Sequence, residues 1–221
     1  QYMQDYCAVV KAVDENVGRL LDYLEREGEL DNTIIIYTSD QGFFLGEHGW
    51  FDKRLMYDEC HRTPLLVRYP HAVKPGSRSE ALAMNIDFAP TILDFAGIDI
   101  PQDIQGRSLK PVLEAEGAVP ADWRKGVYYH YYEYPSWHSV KRHYGIRTER
   151  YKLIHFYNDI DEWELYDLEN DPRELCNIYS DPQYSEVVKQ LKLQLQKLQQ
   201  ECGDNDPQEL QFEFFKGAEN L

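Results

Sequence analysis

Sixteen consecutive residues, Thr38-Ser39-Asp40-Gln41-Gly42-Phe43-Phe44-Leu45-Gly46-Glu47-His48-Gly49-Trp50-Phe51-Asp52-Lys53, gather a carboxylate, an amide carbonyl, an imidazole and an ammonium. Asp40 and Gln41 offer hard oxygen donors of the kind calcium and magnesium take. His48 is suited to pass a proton to a leaving oxygen near neutral pH, and Lys53 to neutralise a tetrahedral anion. Each residue also has a plainer reading. Asp-Gln-Gly after a strand makes a turn in which Asp accepts backbone hydrogen bonds, a loop Lys is ordinarily solvated, and a His among glycines serves as a structural donor. Calcium takes six to eight oxygens, so a metal held by Asp40 and Gln41 needs further ligands, and Glu47 and Asp52 are not obviously spaced to supply them.

The elements that must position this stretch follow from hydrophobic period. Thr33 to Tyr37 is β-branched and aromatic without charge, which predicts a buried strand ending where the polar residues begin. Ligands of open α/β sheets sit at such carboxyl ends. Pro64 to Pro70 predicts a second short strand. Before them, Tyr6, Val9, Val10, Val13, Val17, Leu20, Leu21 and Leu24 recur at helical spacing, with Gly28 as the stop. Asn85 to Gly97 predicts a further helix, with Asp87 as N-cap. This alternation predicts an α/β part over residues 1–120.

Residues 106–122 are rich in Gly, Pro and Ala, and the pattern then changes. Tyrosine-dense runs at Val127 to Tyr134, Tyr144 to Thr148, Tyr151 to Phe156 and Glu164 to Leu168 predict an antiparallel sheet. A helix with the seam Val188, Leu191, Leu195 and Leu198 follows. Residues 121–203 thus read as a small α+β subdomain, and 204–221 as a loosely attached tail.

Lys and Arg total 23 against 39 Asp and Glu, a formal charge of −16 that disfavours nucleic acid and anionic membrane as partners. Any anionic ligand must be captured locally. No run of 18 apolar residues exists to span a bilayer. Cys7, Cys60, Cys176 and Cys202 form no Cys-x-x-Cys pair, so neither a zinc site nor a disulfide framework is indicated. The first residue is not Met, and Gln1-Tyr2-Met3-Gln4 lacks the character of a signal peptide. The expectation is a processed piece or an expressed fragment.

Cys60 beside His61 suggests a nucleophile, but chain neighbours seldom face each other and cysteine is a common core residue. Lys141, Arg142, His143, Arg147, Arg150 and Lys152 form a positive island against Glu149 alone. The His138 to His143 loop could hold a sulfated or phosphorylated ligand, with Trp137 and nearby Tyr stacking on sugar rings. Equally, the island is the solvent face of two strands balanced by Asp159, Asp161 and Glu162, the reading favoured for Arg150 and Lys152.

Four segments together resemble the C-terminal half of the sulfatases of the alkaline-phosphatase superfamily. They are Asp14-Glu15-Asn16-Val17-Gly18-Arg19, Thr38 to Lys53 with Arg62-Thr63-Pro64-Leu65-Leu66, Asn85 to Gly97, and Glu164-Leu165-Tyr166-Asp167-Leu168-Glu169-Asn170-Asp171-Pro172-Arg173-Glu174. The resemblance implies an alkaline-phosphatase-like α/β sandwich and a small antiparallel subdomain. It assigns Asp40 and Gln41 as calcium ligands, Lys53 as the sulfate contact, and His48 to the site rim or leaving-group side. Asn85 to Asp94 and Trp50-Phe51-Asp52-Lys53-Arg54 look most like sulfatases of glycosaminoglycans, including N-acetylglucosamine-6-sulfatases. Arg54, His138, Arg142 and His143 are accordingly expected on the substrate side. The implied setting is periplasmic or otherwise extracytoplasmic.

The family's formylglycine arises in a Cys/Ser-x-Pro/Ala-x-Arg motif, which Cys60-His61-Arg62-Thr63-Pro64 does not fit, and two further aspartates of the family's metal site have no counterpart here. Formylglycine and half the calcium sphere are therefore expected from a missing N-terminal part of the same protein. The chain alone is expected to lack turnover and to bind calcium poorly. Two other readings remain open: a phosphodiesterase or phosphonate hydrolase of the same superfamily, and a non-catalytic glycan-binding module using the His138 to His143 loop.

Overall fold

The computed structural model describes residues 1–135 and 137–204, and the chain divides into two compact units. Gln1–Lys53 and Glu59–Trp123 form the first; Arg54–Asp58 joins the chain from Arg124 onward in the second.

In the first unit, α1 (Tyr2–Arg26) carries the expected apolar stripe. It ends in a Schellman-type arrangement: Gly28 takes φ +72°, its N–H donates to Glu25 O and the Glu29 N–H reaches back to Leu24 O. No α1 residue is buried among the described residues, and Val9 and Leu20 are 64% and 58% exposed. β1 (Ile35–Thr38) pairs antiparallel with β2 (Leu65–Arg68), Thr38 opposite Leu65. Arg68 ties this ladder to the turn after α1 by donating to Leu30 O and to Asp31. α2 is the single turn Asp58–His61, whose first residue belongs to the second unit.

A 3-10 turn (Asn85–Asp87) leads into α3 (Phe88–Phe95), and α4 (Lys110–Glu114) follows. Asp87 holds the N-cap position, as the sequence predicts. It accepts the Met84 N–H and, across the fold, the Arg107 N–H, both at 2.8 Å. Thr91 completes the staple by donating to Asp87 O and accepting from the Leu109 N–H. This brings Leu109, Val112 and Trp123 into a small core with Leu65, Ala81 and Phe88.

The second unit is an antiparallel sheet of β3 (Gly126–Tyr131), β4 (His143–Thr148), β5 (Tyr151–Phe156) and β6 (Glu162–Asp167) in sequential order, followed by α5 (Ser185–Glu201). β6 begins two residues earlier than expected. Ile146, Leu153 and Leu165 project from one face of the sheet against Leu191 and Leu195 of α5, with Val188 and Leu198 flanking, as the helical seam predicts. Residues 54–58 cover the other face. A Cβ on Gly145 would stand 2.6 Å from Met56 Sδ, so glycine is what admits that side chain. Tyr57 sends its hydroxyl to Glu164 and meets Tyr166 edge to face.

Two expectations change. Lys152 is not on a solvent face: it is fully buried, paired with Asp58 and Glu174. Of the expected tail, Asp204 is pinned rather than loose, its carboxylate accepting from Tyr128, Tyr132 and His130. Residues 205–221 lie outside the described residues.

Candidate functional site

The Thr38 to Lys53 stretch folds back on itself at the end of β1. Its rungs are backbone hydrogen bonds: Gly42 N–H to Cys60 O at 2.7 Å, Phe44 N–H to Asp52 O at 2.8 Å and Gly46 N–H to Trp50 O at 2.9 Å. A Cβ on Gly42 would lie 1.9 Å from Glu59 O, so only glycine permits the first rung. Glu47 closes the tip by accepting the Leu45 N–H. The second rung carries the chain back, and Lys53 directly follows Asp52, whose carbonyl makes that rung. Asp52 accepts the Lys53 N–H at 2.7 Å, fixing the backbone there. Among the described residues the Lys53 ammonium has no ion-pair partner.

Ser39 shapes the metal-ligand candidates, donating to Gln41 O at 2.8 Å and lying 3.3 Å from Asp40 Oδ1. The Asp40 side chain stands exposed and Gln41 half-buried. Their oxygens fit a hard cation in donor type. Among the described residues no group of three or more His, Cys, Asp or Glu could hold a metal ion.

His48 sits at the tip with φ +53°, a left-handed conformation costly for a non-glycine residue. Phe44, fully buried, meets its ring edge-on at 5.7 Å, and its Nε2 lies 3.6 Å from Glu59 Oε2. Glu59 is a residue that sequence reasoning missed. It lies eleven positions after His48, and no local period links the two. Cys60 is buried, as the core reading requires, and its carbonyl serves the first rung.

The substrate-side candidates separate. Arg54 is half-buried in the second unit, and Trp137 and His138 are exposed, Trp137 at 97%. Arg142 and His143 are corrections, because both are buried and engaged within the protein. Arg142 donates from Nε to Tyr132 O and from Nη2 to Tyr134 O, clamping the base of the 132–141 loop. His143 is stacked on Tyr131 at 5.3 Å and tilted against Phe156, with Nδ1 2.8 Å from Lys141 O. Burial pushes its pKa down to about 4, leaving a neutral ring suited to an aromatic core. Lys141 is paired with Asp159, and Arg150 grips Asp167 with two nitrogens at 3.0 and 2.7 Å. The positive island is thereby largely neutralised.

Against known proteins, the chain is 66% identical over all 221 residues to an N-acetylglucosamine-6-O-sulfatase of Bacteroides thetaiotaomicron, of which it spans 40%. It is 44% identical over 122 residues, 54% of its length, to the Homo sapiens N-acetylglucosamine-6-sulfatase, of which it covers 22%. A solved structure of a protein in complex with its substrate D-glucosamine-2-N,6-O-disulfate superposes with a TM-score of 0.92 at 68% identity, covering 95% of this chain and 42% of that one. The chain thus spans less than half the length of these relatives. The mixed architecture with antiparallel sheets matches the sulfatase C-terminal fold expected from the sequence. The family model described as N-sulphoglucosamine sulphohydrolase, C-terminal, matches residues 46–201, and the chain belongs to that sulfatase family.

Proposed function

We propose that the protein carrying this chain hydrolyses sulfate esters of sulfated amino sugars, with N-acetylglucosamine-6-sulfate as the substrate class. One observation carries the reading: the loop after β1 folds back through the Phe44–Asp52 and Gly46–Trp50 backbone hydrogen bonds, so that the segment bearing the oxygen donors Asp40 and Gln41 and the segment ending in Lys53, whose ammonium has no ion-pair partner among the described residues, are its two arms. Relatives named N-acetylglucosamine-6-sulfatases support the choice of sugar.

In this reading Asp40 and Gln41 would hold calcium, and formylglycine would come from polypeptide beyond this chain. When bound, calcium would supply positive charge that favours an anionic sulfate group. Lys53 binds the same anion and stabilises the charge that develops as the ester bond breaks. His48 stands at the rim on the leaving-group side, oriented by Glu59.

In the full-length protein, Lys53→Ala should lower kcat/KM on N-acetylglucosamine-6-sulfate by at least about 100-fold, the scale of losing one charge-stabilising donor. Unchanged turnover would refute this assignment of Lys53. A wild-type enzyme that prefers phosphate or phosphonate esters to sulfate esters would overturn the substrate class.

A further inference from the structure

The loop between β3 and β4 lies wholly within the second unit and is tied down on both limbs. On the return limb Val140, Arg142 and His143 are buried, and Arg142 holds the Tyr132 and Tyr134 carbonyls. Lys141 reaches across to the outgoing limb: its Nζ donates to the Tyr134 hydroxyl at 2.7 Å, stands 4.4 Å from the centre of that ring and pairs with Asp159. Ser139 links the tip by donating to Pro135 O at 3.5 Å. It holds φ +49°, a left-handed backbone that a residue with a side chain keeps only where its surroundings fix it.

Trp137 stands on this braced tip with 97% of its surface in water. Tryptophan is highly buried in most folded proteins, and it is enriched where a protein meets a partner. An aromatic side chain presented from a fixed loop has little freedom left to lose on binding. Charge then decides what it can meet. Lys141 is committed to Asp159 and Tyr134, Arg142 to two backbone carbonyls, and Glu133 accepts the Tyr131 hydroxyl. With these charges engaged inside the protein, an incoming group meets the indole face and not a free cation. That face carries the negative end of the ring quadrupole and attracts polarised C–H groups. A gluco-configured pyranose suits it, because its equatorial substituents leave C–H groups alone on the ring faces.

We infer that the β3–β4 loop is a docking point for the ring face of a glycan: Trp137 stacks on a gluco-configured amino sugar, and Lys141 and Arg142 brace the loop instead of holding a sulfate. The choice of sugar rests on the function proposed above, but the contact is a binding event that needs no turnover.

The experiment measures equilibrium binding of the unsulfated, β-1,4-linked N-acetylglucosamine tetrasaccharide to the full-length protein by calorimetry, for the wild type, Trp137→Phe and Trp137→Ala. Trp137 is in solvent, so both variants should fold with Tm within about 2 °C of the wild type. Trp137→Ala should weaken binding at least about tenfold, and Trp137→Phe, which keeps a smaller ring, about threefold. Raising salt from about 0.05 M to about 0.5 M should change the wild-type Kd by less than about twofold, because no ion pair is made.

Equal affinity in the wild type and Trp137→Ala, no binding of the tetrasaccharide by the wild type, or binding that requires a 6-O-sulfate and vanishes at the higher salt would each overturn the inference. So would a wild-type dimer that Trp137→Ala dissociates in sedimentation, since a second copy would then cover the indole. Trp137-dependent sugar binding in a protein that hydrolyses no sulfate ester would sink the sulfatase reading and leave the docking point standing. Sulfate-ester turnover without Trp137-dependent binding would do the reverse.

Discussion

The two units bury their apolar residues very differently. In the second, four strands alternate cleanly, one face closing on α5 through Ile146, Leu153, Leu165, Leu191 and Leu195, the other on residues 54–58. In the first, the longest helix has no buried residue among the described residues, β1 and β2 form a ladder of four residues each, and the core reduces to Leu109, Val112 and Trp123 with their neighbours. A two-stranded ladder is marginal by itself. The unit with the sparse core carries the loop that bears Asp40, Gln41, His48 and Lys53.

The largest expected effect tests the finished core. Leu153→Ala, at a position with no exposure, should cost about 4 kcal/mol in urea unfolding, since strands on both sides prevent collapse into the cavity. A loss below about 1 kcal/mol would break the contrast between the units.

Next comes acidification, which tests the buried His143 ring of the second unit. Folded His143 takes its proton only near pH 4, whereas an unfolded His does so near pH 6.5. Between those values the unfolded state holds more protons, so stability is flat above the window and falls as pH drops through it, by up to about 3 kcal/mol. His143→Phe should flatten that part of the curve, measured as Tm from pH 7 to 4. An unchanged slope would mean that another group governs acid unfolding.

The smallest effect is expected on α1. Val9→Glu with Leu20→Glu replaces side chains already in solvent, so the urea midpoint of this chain should move by less than about 0.5 kcal/mol while its solubility limit rises. A large loss of stability would show that the stripe is covered.

Legibility in the sequence followed the range of the interactions. β5 was readable to the residue because Tyr151 to Phe156 alternates within a turn-bounded run, and α5 because its seam repeats at helical spacing. The stop at Gly28 was readable because a left-handed C′ residue favours glycine. In the candidate site the residue types and the loop were visible, and its fold-back was not, because its rungs are backbone hydrogen bonds that no side chain advertises. Lys152 was misread for a related reason: a lysine in a strand next to charged residues reads as solvated, and its partners lie 94 positions before it and beyond the next strand. Arg142 and His143 read as ligand-facing on charge alone, yet two carbonyls and two aromatic rings claim them. The excursion of residues 54–58 carried no compositional mark.

Asp204 closes the described chain with an acceptor on which two phenols and an imidazole converge, held down to about pKa 2 as their hydrogen bonds outweigh its burial. This makes position 204 a natural seam for engineering. Trimming to Gly203 would strip the carboxylate from a nearly sealed imidazole at His130, whereas a linker or reporter joined after Asp204 would leave that knot tied.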